Sequence, residues 1–564
     1  MSDLMEMLVR RGFLWQSFEI YGGMAGFVDY APLGNNLRRK IENIWREFFV
    51  INERVVEIDT PLIGIEEVFI ASGHATSFFD IAIECEKCGR VYRADHYIKE
   101  KLNLEVEVSK DVIKEVLQTY GLKCECGGSF KEPFFMNLMF STKIGAGRGK
   151  NAYLRPETAQ GIFIAFKRIS NYFRDKLPFG VAQIGRAFRN EISPRQGVIR
   201  LREFNQAELE FFVHPREKRH PNFKEFANDE VNLLDKFERM NKISLGEAVE
   251  KGIIANEALA YFIGKTRRFL LKIGIKDERL RFRQHKDDER AHYASDCWDA
   301  EVLTSFGWIE VVGIADRTDY DLIRHSKFSG EDLSIFIPYN KPIVVKRKKT
   351  IPKMNVLGPV FKEKAKKIAE ILANMEVNSD EIEIELDGEK IRISKEFFEV
   401  REVEEEISGE RVVPHVIEPS FGLDRISYAV LEHSFDKDIV EGEERRVLRL
   451  KRWLAPIEVA VLPLLSREPF ISKAIEITNQ LKRSGFYTDY DDSGSIGRRY
   501  RRYDEIGTPF CVTVDHQTFE DETVTIRDRD TTGQVRVRVN DLPKILRELL
   551  TTERPIEDFG EKFR

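Results

Sequence analysis

Phe188-Arg189-Asn190-Glu191, followed by Arg200-Leu201-Arg202-Glu203-Phe204-Asn205-Gln206-Ala207-Glu208, holds the densest set of chemically capable side chains in this 564-residue sequence. Residues two apart in a β-strand share a face. Arg189 and Glu191 then point one way together, as do Arg200, Arg202, Phe204, Gln206 and Glu208. Ser193-Pro194-Arg195-Gln196-Gly197 between them is turn-rich, which predicts a long hairpin. Arginines, an aromatic ring and carboxylates on one face suit a ligand with phosphates, a flat base and an amine. The plainer alternative is an amphipathic hairpin with solvated charges. Phe188, Leu201, Ala207, Leu209 and Phe211 on the other face supply a core, interrupted by Glu203 and Asn205.

Other constellations are weaker one by one. Cys85-x-x-Cys88-Gly89 and Cys124-x-Cys126-Gly127-Gly128 supply four thiolates, enough to close a structural zinc site with no open position. The competing reading is a set of reduced thiols, and Cys297 and Cys511 read as core. Glu157 or Thr158 in Arg155-Pro156-Glu157-Thr158-Ala159-Gln160-Gly161 can cap the helix that follows. Glu310 lies in the apolar run around Ile309 and Val311, and a carboxylate there needs a partner: a salt bridge, or magnesium on phosphates. Gly422-x-x-Arg425 opens a helix and brings an arginine within reach of a phosphate. Arg498, Arg499, Arg501 and Arg502, interleaved with Tyr500 and Tyr503, fit either an RNA contact or a solvated helix face.

These residues need several domains to position them, since one core does not extend over a chain this long. Charged residues are 33% against an average of roughly 25%, with a net charge of −6, so any nucleic-acid surface must be local. No run is long and apolar enough for a bilayer, and Met1-Ser2-Asp3-Leu4 lacks a signal pattern, which predicts a cytoplasmic protein. A helix over Asn35–Phe49 and a strand over Val55–Ile58 ending at Pro61 form a packing unit. The expected division is a catalytic core in parts, 1–84 with 131–213, then 291–340 and 413–454. It is interrupted by a cysteine-paired module at 85–130, a charged, mostly helical insertion at 214–290 and a second insertion at 341–412. Alternating strands and helices over 455–564 predict a separate α/β domain.

Taken together, the segments resemble a class II aminoacyl-tRNA synthetase. The helix and strand ending at Pro61 look like the first motif, Phe188–Glu191 with 200–208 like the second, and Ser420–Arg425 like the third. Gly26-Phe27-Val28-Asp29-Tyr30-Ala31-Pro32-Leu33-Gly34, Tyr92-Arg93-Ala94-Asp95-His96, Arg155–Gly161 and Ala315-Asp316-Arg317-Thr318-Asp319-Tyr320-Asp321-Leu322 look like the homodimeric glycyl-tRNA synthetase family, archaeal and eukaryotic in type. Residues 455–560 resemble the anticodon-binding domain shared with histidyl, threonyl and prolyl enzymes. Ser420 departs from the general class pattern, where glycine often stands, and agrees with the glycyl family.

The resemblance implies an α+β fold: an antiparallel-sheet catalytic domain with insertions and a C-terminal α/β anticodon-binding domain. It implies an ATP-dependent, AMP-forming ligase that makes glycyl-adenylate and passes glycine to tRNA(Gly), with diadenosine tetraphosphate as a possible side product. Arg189, Glu191 and Arg425 would be catalytic. Arg189 would serve the α-phosphate, Glu191 the adenine amino group and Phe204 the adenine ring. Arg200 and Arg425 would hold the outer phosphates, and Glu310 magnesium. Asn190, Ile199, Leu201, Arg202, Glu203, Val311 and Gly422 would complete the ATP site. Glycine would meet Arg93, Glu157, Phe204, Gln206, Glu208, Glu418 and Ser420. A Glu208→Ala enzyme is expected to lose glycine-dependent exchange while staying folded.

Overall fold

The computed structural model describes residues 3–104, 106, 109–192, 194, 197–290, 293–375, 379–386 and 389–563. Ser193, Arg195 and Gln196 of the expected turn lie outside them. The chain divides into two units, one of Met1–Leu333 with Pro414–Arg564 and one of Ser334–Val413.

The first unit is built around helix α1 (Pro32–Arg46) and a large sheet. Proline at the first turn suits the start of α1. Leu37, Ile41, Ile44 and Trp45 then recur at helical spacing and are all buried. The sheet strands are β1 (Val55–Glu57), β2 (Phe179–Phe188), β3 (Glu203–Val213), β4 (Glu230–Leu234), β5 (Met240–Ser244), β6 (Leu280–Gln284), β7 (Asp296–Thr304), β8 (Gly307–Thr318) and β9 (His415–Gly422). Among the described residues these nine strands lie in the order β5-β4-β6-β7-β8-β9-β3-β2-β1. The pairing is antiparallel except for β1 with β2 and β4 with β6. Along β3, Ala207, Leu209 and Phe211 enter the core, which leaves Gln206, Glu208 and Glu210 on the opposite face. Phe421 of β9 packs with Trp45, Phe49 and Phe269, joining the third-motif strand to the first-motif helix.

Strand β8 carries two register irregularities. Val312 faces Ala300 and Glu310 faces Glu301, so Val311 is an extra residue against β7. Asp316 faces Ile417 and Thr318 faces Val416, so Arg317 is extra against β9. Such bulges bend a strand and re-aim its side chains.

The segment 214–290 differs from the helical insertion expected. Strands β4, β5 and β6 extend the central sheet, and helix α3 (Glu257–Lys272) buries Leu259, Phe262, Ile263 and Phe269 in the same core. Its lysines and glutamates decorate the outer side of elements whose inner side is apolar. Charge density on the outside masked the buried pattern. The segment is built into the central sheet and its core.

The cysteine-paired module has a three-stranded sheet (Val91–Arg93, Phe79–Glu84, Phe134–Asn137) and helices Ala94–Leu102 and Lys110–Thr119. Its core includes Ile81, Ile83, Tyr97, Ile98 and Ile113. The unit Ser334–Val413 pairs two long strands, Ile335–Pro352 and Phe398–Val412, and has its own core around Leu357, Ile368, Leu372 and Ile393.

Residues after 455 form a second sheet with strands Val459–Pro463, Thr488–Tyr490, Phe510–Val514, Thr523–Asp528, Gln534–Arg538 and Glu561–Lys562. Helices Phe470–Arg483 and Leu542–Thr551 bury Ile477, Leu481, Leu546 and Leu549 against it. Ion pairs tie these residues to the N-terminal helices, Lys40 to Glu458 at 2.5 Å and Arg10 to Glu505 at 3.1 Å. The arginine-rich helix (Ile496–Glu505) matches neither sequence reading along most of its length. Arg499 is buried and donates to the carbonyls of Pro463 and Gly494. Arg501 donates to the Val440 carbonyl, and Arg502 pairs with Asp491 at 2.5 Å. Arg498 is exposed. Among the described residues, no helix is long and apolar enough to cross a membrane.

Candidate active site

A cavity of about 330 Å³ opens on the sheet face that carries Gln206 and Glu208. Most of the residues expected at an ATP and amino-acid site line it. Arg189, Glu191, Ile199, Arg200, Leu201 and Phe204 come from the second motif and its lead-in, and Glu310 and Val311 from β8. Gly422 and Arg425 come from the start of α5 (Leu423–Ser434), and Glu157, Gln206, Glu208, Glu418 and Ser420 also line the cavity.

Four expected residues fall outside the lining. Strand β3 begins at Glu203, so Arg200, Leu201 and Arg202 precede it and do not alternate. Arg202 turns away and donates to the carbonyls of Glu191 and Ala25. Glu203 faces Phe188 across the hairpin and pairs with Arg186. The Asn190 backbone N–H bonds the Leu138 carbonyl just beyond the end of β2. Arg93 is held by Asp95 at 2.9 Å and Asp80 at 3.3 Å.

One end of the cavity is cationic and aromatic. The Arg189 guanidinium lies over both Phe78 and Phe204, 5.5 and 5.4 Å from the ring centroids, and donates to the Pro156 carbonyl. Arg200 is 3.2 Å from His96 of the cysteine module. Arg425 donates to the Ile199 carbonyl at 2.9 Å, and to the Glu310 backbone and carboxylate at 2.9 and 3.1 Å. Glu310 keeps 49% of its side chain exposed, so its carboxylate still reaches solvent in the cavity. Burial pushes its pKa up, but the Arg425 charge and hydrogen bond hold it below the usual value. Beside it, His285 lies 2.8 Å from Asp299, with Cys297 next to them, and all three line the cavity.

The other end is acidic and built around a buried cation. Arg317, only 2% exposed, donates to both oxygens of Glu418 at 2.9 and 3.0 Å and to Asp321 at 2.9 Å, with Glu157 at 3.9 Å. Its guanidinium also lies 4.3 Å from the Tyr293 ring centroid. Burial pushes the Glu157 carboxyl up, yet His74 and Arg317 hold it well below the carboxylate range. Burial raises Glu418 and Arg317 pulls it back, while Glu208 and Glu157 repel its charge; it stands at about 7. Below them, Glu210 is fully buried with both oxygens unpartnered, and burial next to Glu418 holds it well above the usual range. A carboxyl in that setting keeps its proton.

Glu208 does two things. One oxygen accepts from the backbone N–H groups of Thr158 and Ala159 and from the Thr158 hydroxyl, at 2.7, 2.9 and 2.5 Å, at the start of α2 (Ala159–Tyr172). The other accepts from Ser420 at 2.7 Å. The cap of α2 thus comes from β3, and neither Glu157 nor Thr158 supplies it. Gln206 reaches Ser420 through its amide nitrogen at 3.5 Å, and its amide oxygen is buried without a partner. Asp424 fastens the start of α5 to the second-motif strand and to the Gly26–Gly34 segment. It accepts from Tyr30 at 2.6 Å, from the Asn205 backbone at 2.6 Å and from the Asn205 side chain at 2.9 Å.

Sequence reasoning missed Arg317, Asp321, Tyr293, Phe78 and Asp299. Arg317 and Asp321 carried one usable signal, their place in the Ala315–Leu322 segment that looks like the glycyl family.

Comparison with known proteins bears on this geometry. Residues 140–434 match the tRNA synthetase class II core domain (G, H, P, S and T), and residues 458–549 match the anticodon binding domain. The chain is 75% identical to a glycine–tRNA ligase of Archaeoglobus fulgidus, over 100% of this chain and 99% of that one. It is 54% identical to one of Methanothrix thermoacetophila, over 98% and 97% of the two chains. A third, from Pyrococcus horikoshii, is 51% identical over 97% and 98%. A class II core, an anticodon-binding domain and full-length likeness to these ligases make the chain a member of the glycine–tRNA ligase family of class II aminoacyl-tRNA synthetases.

Proposed function

We propose that this enzyme activates glycine with ATP and transfers it to tRNA(Gly). Glycine's carboxylate attacks the α-phosphorus, forming glycyl-adenylate and releasing pyrophosphate; a terminal ribose hydroxyl of the tRNA then takes the glycyl group and AMP leaves. The observation that carries this reading is the single cavity with a cationic, aromatic end and an acidic end. Arg189 would stabilise charge at the α-phosphate, with Phe204 against the adenine and Glu191 at its amino group. Arg200 and Arg425 would hold the outer phosphates. Catalysis would rest on positioning and charge stabilisation, without a covalent enzyme intermediate. Amino-acid-dependent pyrophosphate exchange across glycine, alanine, serine, proline and threonine tests it; glycine alone should give strong exchange, and a preference for another amino acid would overturn it.

Glycine offers no side chain to grip, so its ammonium must carry recognition. Glu157, Glu208 and Glu418, with Gln206 and Ser420, would surround that group and leave no room for a methyl. A purely apolar pocket distinguishes one methylene by only about 1–3 kcal/mol. This arrangement predicts a pH effect. Glu418 must be ionised to hold an ammonium, and its pKa stands at about 7. KM for glycine should therefore rise as pH falls through that value, by about tenfold per unit below it. Exchange assays from pH 6 to 8.5 at fixed saturating ATP check this; a flat glycine KM would count against Glu418.

Class II synthetases work on ATP with magnesium, and Glu310 would be the carboxylate that holds the ion here, with Asp299 beside it. Magnesium, when bound, neutralises the outer phosphates. The four paired cysteines fit a structural zinc. Cys85 and Cys126 sulfurs are 3.5 Å apart, and those of Cys88 and Cys124 are 3.7 Å apart. Tetrahedral zinc with bonds of about 2.3 Å requires about 3.8 Å between sulfurs. Metal analysis should find about one zinc per chain, and Cys88→Ser with Cys124→Ser should abolish it. Metal-free protein with an intact module would remove the zinc from this account.

A homodimer is the expected assembly. It is supported by the exposed apolar side chains of the N-terminal segment, Ile20 at 89% and Tyr21 at 85%. The anticodon-binding domain would take tRNA(Gly), and a cytoplasmic setting suits all three substrates. Attack of a second ATP's terminal phosphate on the adenylate's phosphorus would expel glycine and give diadenosine tetraphosphate as a side product.

A further inference from the structure

Gln160 stands behind the acidic end, 2% exposed and outside the cavity lining. Its amide nitrogen donates to Glu157 at 2.9 Å and to Asp321 at 3.0 Å. A primary amide has two N–H donors, so both are spent on carboxylates. Its oxygen lies 2.8 Å from Nε2 of His325 in α4 (Tyr320–Ser329). Burial lowers the His325 pKa, so the ring is neutral, and a proton on Nε2 makes it the donor to that oxygen. The amide cannot turn over without facing its oxygen to two carboxylates. Glu157 has only longer ties elsewhere, 3.5 Å to His74 and 3.9 Å to Arg317. Gln160 therefore sets where the Glu157 carboxylate sits.

We infer that Gln160 is a specificity-determining positioning residue, with His325 acting through it. It pins Glu157 at the depth that accepts glycine's ammonium and excludes a methyl on the α-carbon. The inference rests on the reading of Glu157 as an ammonium ligand. A wall that excludes one methyl discriminates only as well as it resists displacement. Glu157 released from Gln160 keeps its charge but can retreat toward His74, which opens space where alanine's methyl would lie.

Gln160→Met keeps the volume and removes both donors. In pyrophosphate exchange, KM for glycine should rise about tenfold, the equivalent of one hydrogen bond to a charged group, while kcat and KM for ATP stay within about twofold. The alanine-to-glycine ratio of kcat/KM should rise at least about tenfold, a shift that general destabilisation does not produce. His325→Phe, which touches neither Glu157 nor substrate, should move the same ratio in the same direction by less, and it serves if Gln160→Met folds poorly. Glu157→Gln separates the two ideas. If it raises glycine KM while neither Gln160→Met nor His325→Phe changes the alanine-to-glycine ratio, the positioning role is overturned and the ammonium reading stands. An unchanged glycine KM in Glu157→Gln removes the ammonium reading and the inference with it.

Discussion

An Arg317→Met enzyme should lose glycine-dependent exchange by about 10²–10³-fold at pH 7.5 while still binding ATP. Methionine nearly keeps the side-chain volume, so the effect is electrostatic. Arg317 is the cation among Glu418, Asp321 and Glu157, and its removal leaves buried carboxylates uncompensated. Breaking such an arrangement from one side costs about 3–5 kcal/mol. The protein can escape much of that cost by taking up protons, and Glu418, already at about 7, is the first to do so. A protonated Glu418 cannot hold an ammonium, and each 1.36 kcal/mol lost is about tenfold in rate or affinity. Raising the pH should restore part of the activity, because the same carboxylates ionise again. Isothermal titration with ATP and exchange assays across pH measure both halves. Loss of ATP binding equal to the loss of exchange would show that the variant had damaged the whole site.

Glu208→Gln should raise KM for glycine by about 10–150-fold, the range of one charge-assisted hydrogen bond at 1.5–3 kcal/mol, with little loss of folding. The amide oxygen can take over the three donors at the start of α2, and the amide nitrogen can meet Ser420, whose hydroxyl can accept. Glu208→Ala is a different case. It strands the N–H groups of Thr158 and Ala159 in a buried place, and each unsatisfied group costs about 1–3 kcal/mol. Glu208→Ala should therefore lose stability as well as activity. Its loss of activity would mix a substrate contact with a missing helix cap. Thermal melts beside glycine titrations distinguish the two variants; a Gln variant with wild-type glycine KM would remove Glu208 from the ammonium site.

Much of the fold was legible in the sequence because period and punctuation agreed. The strands at 459–463 and 510–514 are short apolar runs between helices with clear amphipathic faces. The second-motif hairpin was legible from Glu203 onward, where strict alternation puts Gln206 and Glu208 on one face. It failed at Leu201 and Arg202, because the chain there is not yet a strand and period two has no meaning. The segment 214–290 was misread because its exposed charges are dense on strands as well as helices. The acidic end was legible only in part. Glu157, Glu208 and Glu418 are far apart in sequence, and Arg317, which joins Glu157 and Glu418, comes from a fourth segment. Gln160 gave no signal either, since a glutamine in the first turn of a helix is ordinary until its partners are seen.

The extra residue Val311 has a consequence for how β8 tolerates change. Val311, Gly313, Ala315 and Arg317 all line the cavity, as alternation requires, yet so does Glu310. Glu310 and Arg317 are seven positions apart, an odd step that would put them on opposite faces of a regular strand. The bulge supplies the missing half-turn of the pleat. The strand should therefore tolerate conservative replacement at Val311, and the facing of its neighbours does not depend on that side chain. Losing one residue there would restore perfect pairing with β7 and shorten the step to six, which keeps the Glu310 carboxylate on the face of Arg317 but brings it one residue closer. What the position sets is a spacing: its occupant matters less than the extra length it places between the two ends of the cavity.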